Sequence, residues 1–91
     1  MNNQRRAALK RAISALNKAQ EYAEEAKEII EYVRDDEQDA YDSLPAGIQD
    51  SERGEQMEEN CDDLDGIAGE IDIIYDSCEE QIDAIQEVID K

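Results

Sequence analysis

The chain has 91 residues, enough for one small domain, and its 26 acidic against 9 basic residues give a formal net charge of −17. Such a charge excludes direct binding to nucleic acid or to an anionic membrane, because both surfaces would repel the protein, and it favours a basic partner. No apolar run approaches the ~20 residues that span a bilayer, and no signal-peptide pattern is present, so we expect a cytoplasmic protein.

The first predicted element is a helix over residues 3–44, because apolar residues recur there in alternating steps of three and four, the spacing of a coiled-coil seam. Asn2 or Asn3 can cap its start, and Leu44 before Pro45 should end it. One predicted seam row consists of Leu9, Leu16, Ala23, Ile30, Glu37 and Leu44. The other consists of Ala12, Ala19, Ala26, Val33 and Ala40.

A short loop over residues 45–51 and a second helix over residues 52–90 follow. Ser51 suits the N-cap of this helix, and Glu52 and Glu55 in its first turn complement the helix dipole. Its first predicted seam row consists of Met57, Leu64, Ile71, Cys78 and Ile85. The second consists of Cys61, Ala68, Tyr75, Ile82 and Ile89.

A loop this short makes the two helices antiparallel, so the predicted fold is all-α: one antiparallel two-helix coiled-coil hairpin in a single domain of residues 1–91. In the predicted register Ala19 faces Tyr75 and Val33 faces Cys61. A belt of apolar residues flanks the seam and would stay exposed, so we predict that a homodimer covers it and forms a four-helix bundle. The predicted dimer interface consists of Ile13, Tyr22, Ile29, Ile67, Ile74 and Val88.

Charge divides the predicted hairpin into two halves. Residues 1–20 carry five basic residues and no acid, and they lie beside residues 66–91, whose eight acids should find local partners there. Residues 21–65, at the loop end, carry eighteen acids against three basic residues, a net charge of −15. That charge exceeds what solubility needs and destabilises the fold by self-repulsion, although a solvated acidic face is the alternative interpretation.

The residue types argue against catalysis. Without histidine, a paired-cysteine motif, a phosphate loop or a Ser-His-Asp set, we predict no metal, no cofactor and no enzymatic activity. The stretch DDLDGIAGEID resembles part of a calcium loop, but Cys61 takes its first ligand position and Asp72 its last, so we reject it. Cys61 and Cys78 lie ~25 Å apart along one helix, too far for a disulfide, which favours buried thiols in a reducing cytosol.

The stretch LPAGIQDSERGEQMEEN, residues 44–60, followed by an acidic heptad helix, resembles short acidic helix-loop-helix coiled-coil proteins of phages and prophages of low-GC bacteria. That group has no settled role, so no functional residue carries over. The resemblance implies a small accessory protein in the bacterial host cytoplasm. Small acidic proteins in this setting often inhibit nucleic-acid-binding defence systems, as anti-CRISPR proteins do, and some of them mimic DNA.

Carboxylates three or four residues apart on a helix stand ~6 Å from each other, close to the phosphate spacing along a DNA strand. Our main hypothesis is therefore an inhibitor that blocks a basic, nucleic-acid-binding partner, such as a host defence nuclease, by imitating DNA. The alternatives are a structural or assembly coiled coil whose charge serves only solubility, and an acidic chaperone or antitoxin. The predicted partner-binding residues are Glu31, Asp35, Asp36, Asp39, Asp42, Glu52, Glu55, Glu58, Glu59, Asp62 and Asp63.

Overall fold

The computed structural model describes residues 1–91 and contains three helices, α1 (Asn3–Asp42), α2 (Ala46–Gln49) and α3 (Glu52–Asp90), and no strand. α1 and α3 pack side by side along a rod with principal extents of 69 × 15 × 13 Å. Arg6 Nε donates a hydrogen bond to the Ile89 carbonyl at 3.2 Å, so the start of α1 lies beside the end of α3. The predicted all-α, antiparallel hairpin is confirmed.

Local hydrogen bonds set the ends of α1. The Asn2 side chain accepts a hydrogen bond from the Arg5 N–H at 2.8 Å, which is the predicted cap. α1 ends at Asp42, two residues earlier than predicted. The Ser43 N–H and hydroxyl both donate to the Asp39 carbonyl, at 3.1 and 2.9 Å, which closes the last turn and leaves Leu44, the residue before proline, outside the helix.

The segment predicted as a loop contains the single helical turn α2. The carbonyl of Pro45, the residue before α2, accepts hydrogen bonds from the N–H groups of Ile48 and Gln49 at 2.8 and 3.0 Å. The Gln49 side chain donates to the Tyr41 carbonyl at 3.1 Å, which ties α2 to α1. Gly54 of α3 is buried beneath α2, and a Cβ there would lie 2.6 Å from the Gln49 carbonyl carbon. Only glycine allows this close approach.

The α3 side of the seam follows both predicted rows. Met57, Cys61, Ala68 and Ile89 are its buried members. Tyr75 is the most exposed member, at 37%. The half-buried members are Leu64, Ile71, Cys78, Ile82 and Ile85.

The α1 side of the seam is only partly as predicted. The row from Leu9 to Leu44 is half-buried throughout, which confirms it. The alanine row is wrong, because only Ala12 is half-buried, whereas Ala19, Ala26 and Ala40 are exposed and Val33 is 46% exposed. The residues one position further along α1 take its place in the seam: Ile13, Gln20, Lys27, Arg34 and Tyr41.

Polar pairing explains why α1 packs on this edge. Gln20 is only 6% exposed, and its side-chain nitrogen donates to the Tyr75 carbonyl at 3.2 Å and to Glu79 Oε2 at 2.9 Å. Lys27 Nζ lies 2.7 Å from Asp72 Oδ1. We call this series, completed by an ion pair of Arg34, the polar ladder. Its long side chains bury their stems in the seam and keep their polar ends paired, which alanines cannot do.

The same change shifts the register by one residue. Gln20, rather than Ala19, lies beside Tyr75. Arg34, rather than Val33, lies beside Cys61, whose Sγ is 3.8 Å from the Arg34 carbonyl oxygen. The predicted pairing was therefore wrong at these layers, although the direction of the helices and the α3 rows were right.

Candidate functional site

The predicted partner-binding carboxylates lie at the end of the rod where the chain reverses. We call this region the acidic end: residues 31–42 of α1, the connection through α2, and residues 52–65 of α3. All the predicted residues are exposed except Glu31, which is half-buried. They stand on both helices, at positions that point away from the seam. The structure therefore brings the predicted residues together at one end of the molecule.

Few of these carboxylates have a partner within the chain. Arg34 binds Asp35 at 2.9 Å and approaches Glu31 at 3.9 Å, and Gln38 donates a hydrogen bond to Asp42 at 3.0 Å. The side chains without a hydrogen bond or ion pair are Asp36, Asp39, Glu52, Glu55, Glu58, Glu59, Asp62 and Asp63. Their charge is accessible to a partner rather than satisfied internally.

The acidic end also affects its neighbours. Burial raises the pKa of the Tyr41 phenol, and the charges of Glu58, Asp50 and Asp42 raise that pKa further. Burial likewise raises the pKa of the Cys61 thiol, with Glu37 as its largest charged contributor. Both groups lie in the seam at this end, so the negative field reaches the space between the helices.

The opposite end of the rod is less tightly paired than predicted. None of the five basic residues of positions 1–20 forms an ion pair with an acid of α3. The ion pairs between the helices lie further along α1, at Lys27–Asp72 and at Arg34–Asp65, where Nη1 and Oδ1 are 2.7 Å apart. At this end, basic residues of α1 and acidic residues of α3 lie on neighbouring helices without forming ion pairs.

The polar ladder occupies one side of the seam. The hydrogen bonds and ion pairs raise the pKa of Lys27, chiefly through Asp72, and that of Arg34, chiefly through Asp65 and then Asp35. Asp65, Asp72 and Glu79 each follow a seam residue of α3 by one position. In an antiparallel pair, residues that follow the seam rows share one side, and residues that precede them share the other.

The other side of the seam, which we call the open face, is apolar on both helices. α3 contributes Ile67 and Ile74, exposed by 47% and 55%, and Val88, exposed by 37%. α1 contributes Val33 with Tyr22 and Ile29 beyond it, the last two exposed by 69% and 58%. Ile13, which we predicted in the same interface, is instead half-buried in the seam with the ladder row.

The open face exists because the core is small. Only six of the 91 residues are buried, and no large side chain is fully enclosed. A two-helix seam cannot cover an apolar stripe that is three rows wide, so the rows farthest from the ladder remain in solvent. Sequence periodicity identified more apolar residues than one seam can bury. It did not identify which rows stay exposed, because the alanines of positions 12–40 also fit the seam pattern.

The surface offers no enclosed cavity, and its depressions run along the sides of the helix pair. No group of three His, Cys, Asp or Glu side chains is arranged to hold a metal ion. None of the helices combines the length and the apolar character needed to cross a membrane. No protein-family model, curated protein or solved structure matches the chain.

Proposed function

We propose that the protein is an inhibitory binding protein whose acidic end occupies the basic surface of a nucleic-acid-binding partner and keeps nucleic acid away from it. The observation that supports this most is the set of exposed carboxylates at the acidic end that have no partner within the chain. Residues 21–65 carry a net charge of −15, which opposes folding by self-repulsion. A partner that supplies Lys and Arg side chains explains why the charge is concentrated there.

The arrangement of the carboxylates suits a groove that normally holds a phosphate backbone. Asp35, Asp39 and Asp42 recur at steps of four and three on α1, which places neighbours ~6 Å apart. The helices hold them on a narrow rod, 15 × 13 Å across its backbone, that can enter such a groove. The partner class we propose is a basic, nucleic-acid-binding protein such as a host defence nuclease, bound by DNA mimicry.

Two variants of equal charge test the proposal. Each converts six carboxylates to amides, which changes the net charge from −17 to −11. None of the twelve residues forms an ion pair within the chain. The acidic-end variant changes Asp36, Asp39, Glu55, Glu59, Asp62 and Asp63. The terminal-end control changes Glu70, Asp76, Glu80, Asp83, Glu87 and Asp90.

The measurement has two steps. Proteins captured from a bacterial lysate at low salt by the unaltered chain are identified, purified and assayed for binding to duplex DNA and to RNA. The unaltered chain and the terminal-end control should then displace the nucleic acid, while the acidic-end variant should bind about 100-fold more weakly, because each exposed charge pair contributes roughly 0.5 kcal/mol. Binding should also weaken as salt rises.

Three results would contradict the proposal: equal losses in the two variants, binding that is independent of salt, or captured proteins that do not bind nucleic acid. The open face supports a second candidate function, a structural or assembly coiled coil whose charge serves only solubility. Its partners would be assembly components, and both charge variants would retain them. In either case we propose that two hairpins associate through the open face into a four-helix bundle.

A further inference from the structure

We infer that a second copy of this chain covers the open face, related by a two-fold axis perpendicular to the rod, so that α1 packs antiparallel on α1 and α3 antiparallel on α3. This inference is independent of the basic partner proposed above. Because both helices expose apolar rows on the same side of the seam, two such faces can meet directly.

The open rows of α1 complement themselves when reversed. The midpoint of Asn3–Asp42 lies between Tyr22 and Ala23, and reversal about that point places Ala12 opposite Val33 of the second copy. The same operation places Ala19 opposite Ala26. The first pair joins a small side chain to a large one and the second joins two small ones, so the two helices can approach closely at both layers.

α3 has the same symmetry about its own midpoint. The point midway between Ile67 and Ile74 lies between Glu70 and Ile71, next to the middle of Glu52–Asp90, and reversal about that point places Ile67 opposite Ile74 of the second copy. A depression on α3 is lined by Ile67, Ile71, Ile74 and Gly66, with the carboxylates of Asp62, Asp63 and Glu70 along its border, and a Cβ at Gly66 would find open space. One axis through the middle of the rod serves both helices.

Charge also favours this orientation. The row of α1 that borders the open face is basic in its first half, with Arg11 and Lys18, and acidic in its second half, with Glu25 and Asp39. Reversal therefore brings the basic first half of this row to the side of the acidic second half of the same row on the second copy. A parallel dimer would instead place the two acidic ends side by side, each with fourteen acidic and two basic residues and so a net charge of −12.

The salt dependence of this dimer should be opposite to that of binding to a basic partner. Each copy carries a charge of −17, and the border of α3 is acidic in both halves, so the copies repel each other overall. Salt screens that repulsion and leaves the apolar contact intact, so the dimer should strengthen as salt rises. Failure of one proposal is thereby distinguishable from failure of the other.

The mass in solution is the first test. Sedimentation at physiological salt should give twice the 10.3 kDa of one chain. The double variant Ile67→Asp, Ile74→Asp should weaken the dimer by about 100-fold or more, since four buried isoleucines per dimer are lost. Ile48→Asp is the control, because Ile48 is 42% exposed but lies on α2, away from the open face. A monomer at every salt concentration, or equal weakening by the control, would overturn the inference.

Cross-linking tests the orientation. In a Cys61→Ala, Cys78→Ala background, Ala19→Cys and Ala26→Cys are prepared as separate proteins and oxidised either alone or as a mixture. The antiparallel dimer places position 19 of one copy beside position 26 of the other, so the mixture should form a disulfide-linked dimer and each protein alone should not. A dimer whose mixture gives no more cross-link than the separate proteins would exclude α1 packing on α1 in this register.

Discussion

The two sides of the α1–α3 seam differ although the same two helices form both. On the ladder side, Gln20, Lys27 and Arg34 reach across to acceptors on α3, and their long side chains close the seam. On the open face, Tyr22 and Ile74 are more than half exposed. α1 packs against α3 through its more polar edge, and its more apolar edge remains exposed to solvent.

This difference shows what selects the packing edge of a helix whose apolar stripe is wider than one seam. The ladder residues can place their polar ends on α3 and their stems in the seam, and each pair fixes one layer of the register. The alanine row offers little area for burial in a thin hairpin, although it allows a close approach between two helices. The ladder therefore forms the contact within the chain, whereas the alanine row remains exposed.

The largest loss of stability should follow from a substitution that disrupts the connection between α1 and α3, because this connection sets the register on both sides of the seam. In Gly54→Ala the new Cβ would lie 2.6 Å from the carbonyl carbon and 2.7 Å from the Cα of Gln49, and both are backbone atoms. Moving α2 to relieve this overlap should cost about 3 kcal/mol of the free energy of unfolding. Urea unfolding followed by circular dichroism measures that loss.

The control for this variant is Gly69→Ala. Position 69 lies within α3 with no atom within 4 Å of an added Cβ, and its backbone has an ordinary helical conformation. Alanine there should stabilise the protein by about 1 kcal/mol, because it favours the helix more than glycine does. Destabilisation of similar size by both variants would show that Gly54 has no special contact with α2.

A smaller effect should distinguish the ladder side from the open face directly. Gln20→Ala removes two hydrogen bonds from a residue that is 6% exposed and should cost about 1.5 kcal/mol. Gln81→Ala, on the exposed row of α3 that also holds Ile74, should change the free energy of unfolding by less than about 0.5 kcal/mol.

Both glutamine variants are compared by urea unfolding in the Ile67→Asp, Ile74→Asp background, so that association through the open face does not contribute. If the two losses were equal, the ladder would add nothing to the stability of the hairpin. A larger loss for Gln81→Ala would place the tighter contact on the open face and reverse the comparison.

Sequence periodicity predicted the two long helices and both seam rows of α3, because apolar residues there recur without an equal competitor. Residue type predicted the cap at Ser51 and a start cap at Asn2 or Asn3, of which Asn2 is the cap observed. It predicted the wrong second row on α1, where two rows compete. A ranking of positions by apolarity places Ala19 and Ala26 in the seam before Gln20 and Lys27. Such a ranking does not include the partners on α3, which are Glu79 for Gln20 and Asp72 for Lys27. Long-range polar pairs depend on both helices at once, whereas heptad counting reads one helix at a time.

The candidate surfaces were predictable to different degrees for the same reason. The acidic end depends only on charge along the chain and on the position of the reversal, so its residues were predicted together. The open face depends on which edge of α1 the hairpin uses. That is why Ile13 was assigned to the face, whereas Val33, which belongs to it, was assigned to the seam.

The smallest expected effect is on the pH dependence of stability, and it concerns Cys61, a buried thiol in the seam. Cys61 is 5% exposed, and burial followed by the charge of Glu37 raises its pKa above the ordinary value of 9.0. In the unfolded chain the thiol ionises near its ordinary pKa, so above pH 9 the unfolded state binds fewer protons than the folded state. The contribution of Cys61 is therefore fully present below pH 9 and is lost as the pH rises toward the folded pKa.

Cys61→Ala should remove this part of the alkaline loss of stability, while Cys78→Ala, at a half-buried position elsewhere on α3, should leave it in place. Raised pKa values at Tyr41 and Lys27 also reduce stability at alkaline pH, with the same sign, so the Cys61→Ala curve should still fall at higher pH. Thermal unfolding of the three proteins between pH 8 and pH 10 gives the comparison. Identical pH dependence in all three would mean that the seam opens enough at Cys61 for water to reach its thiol.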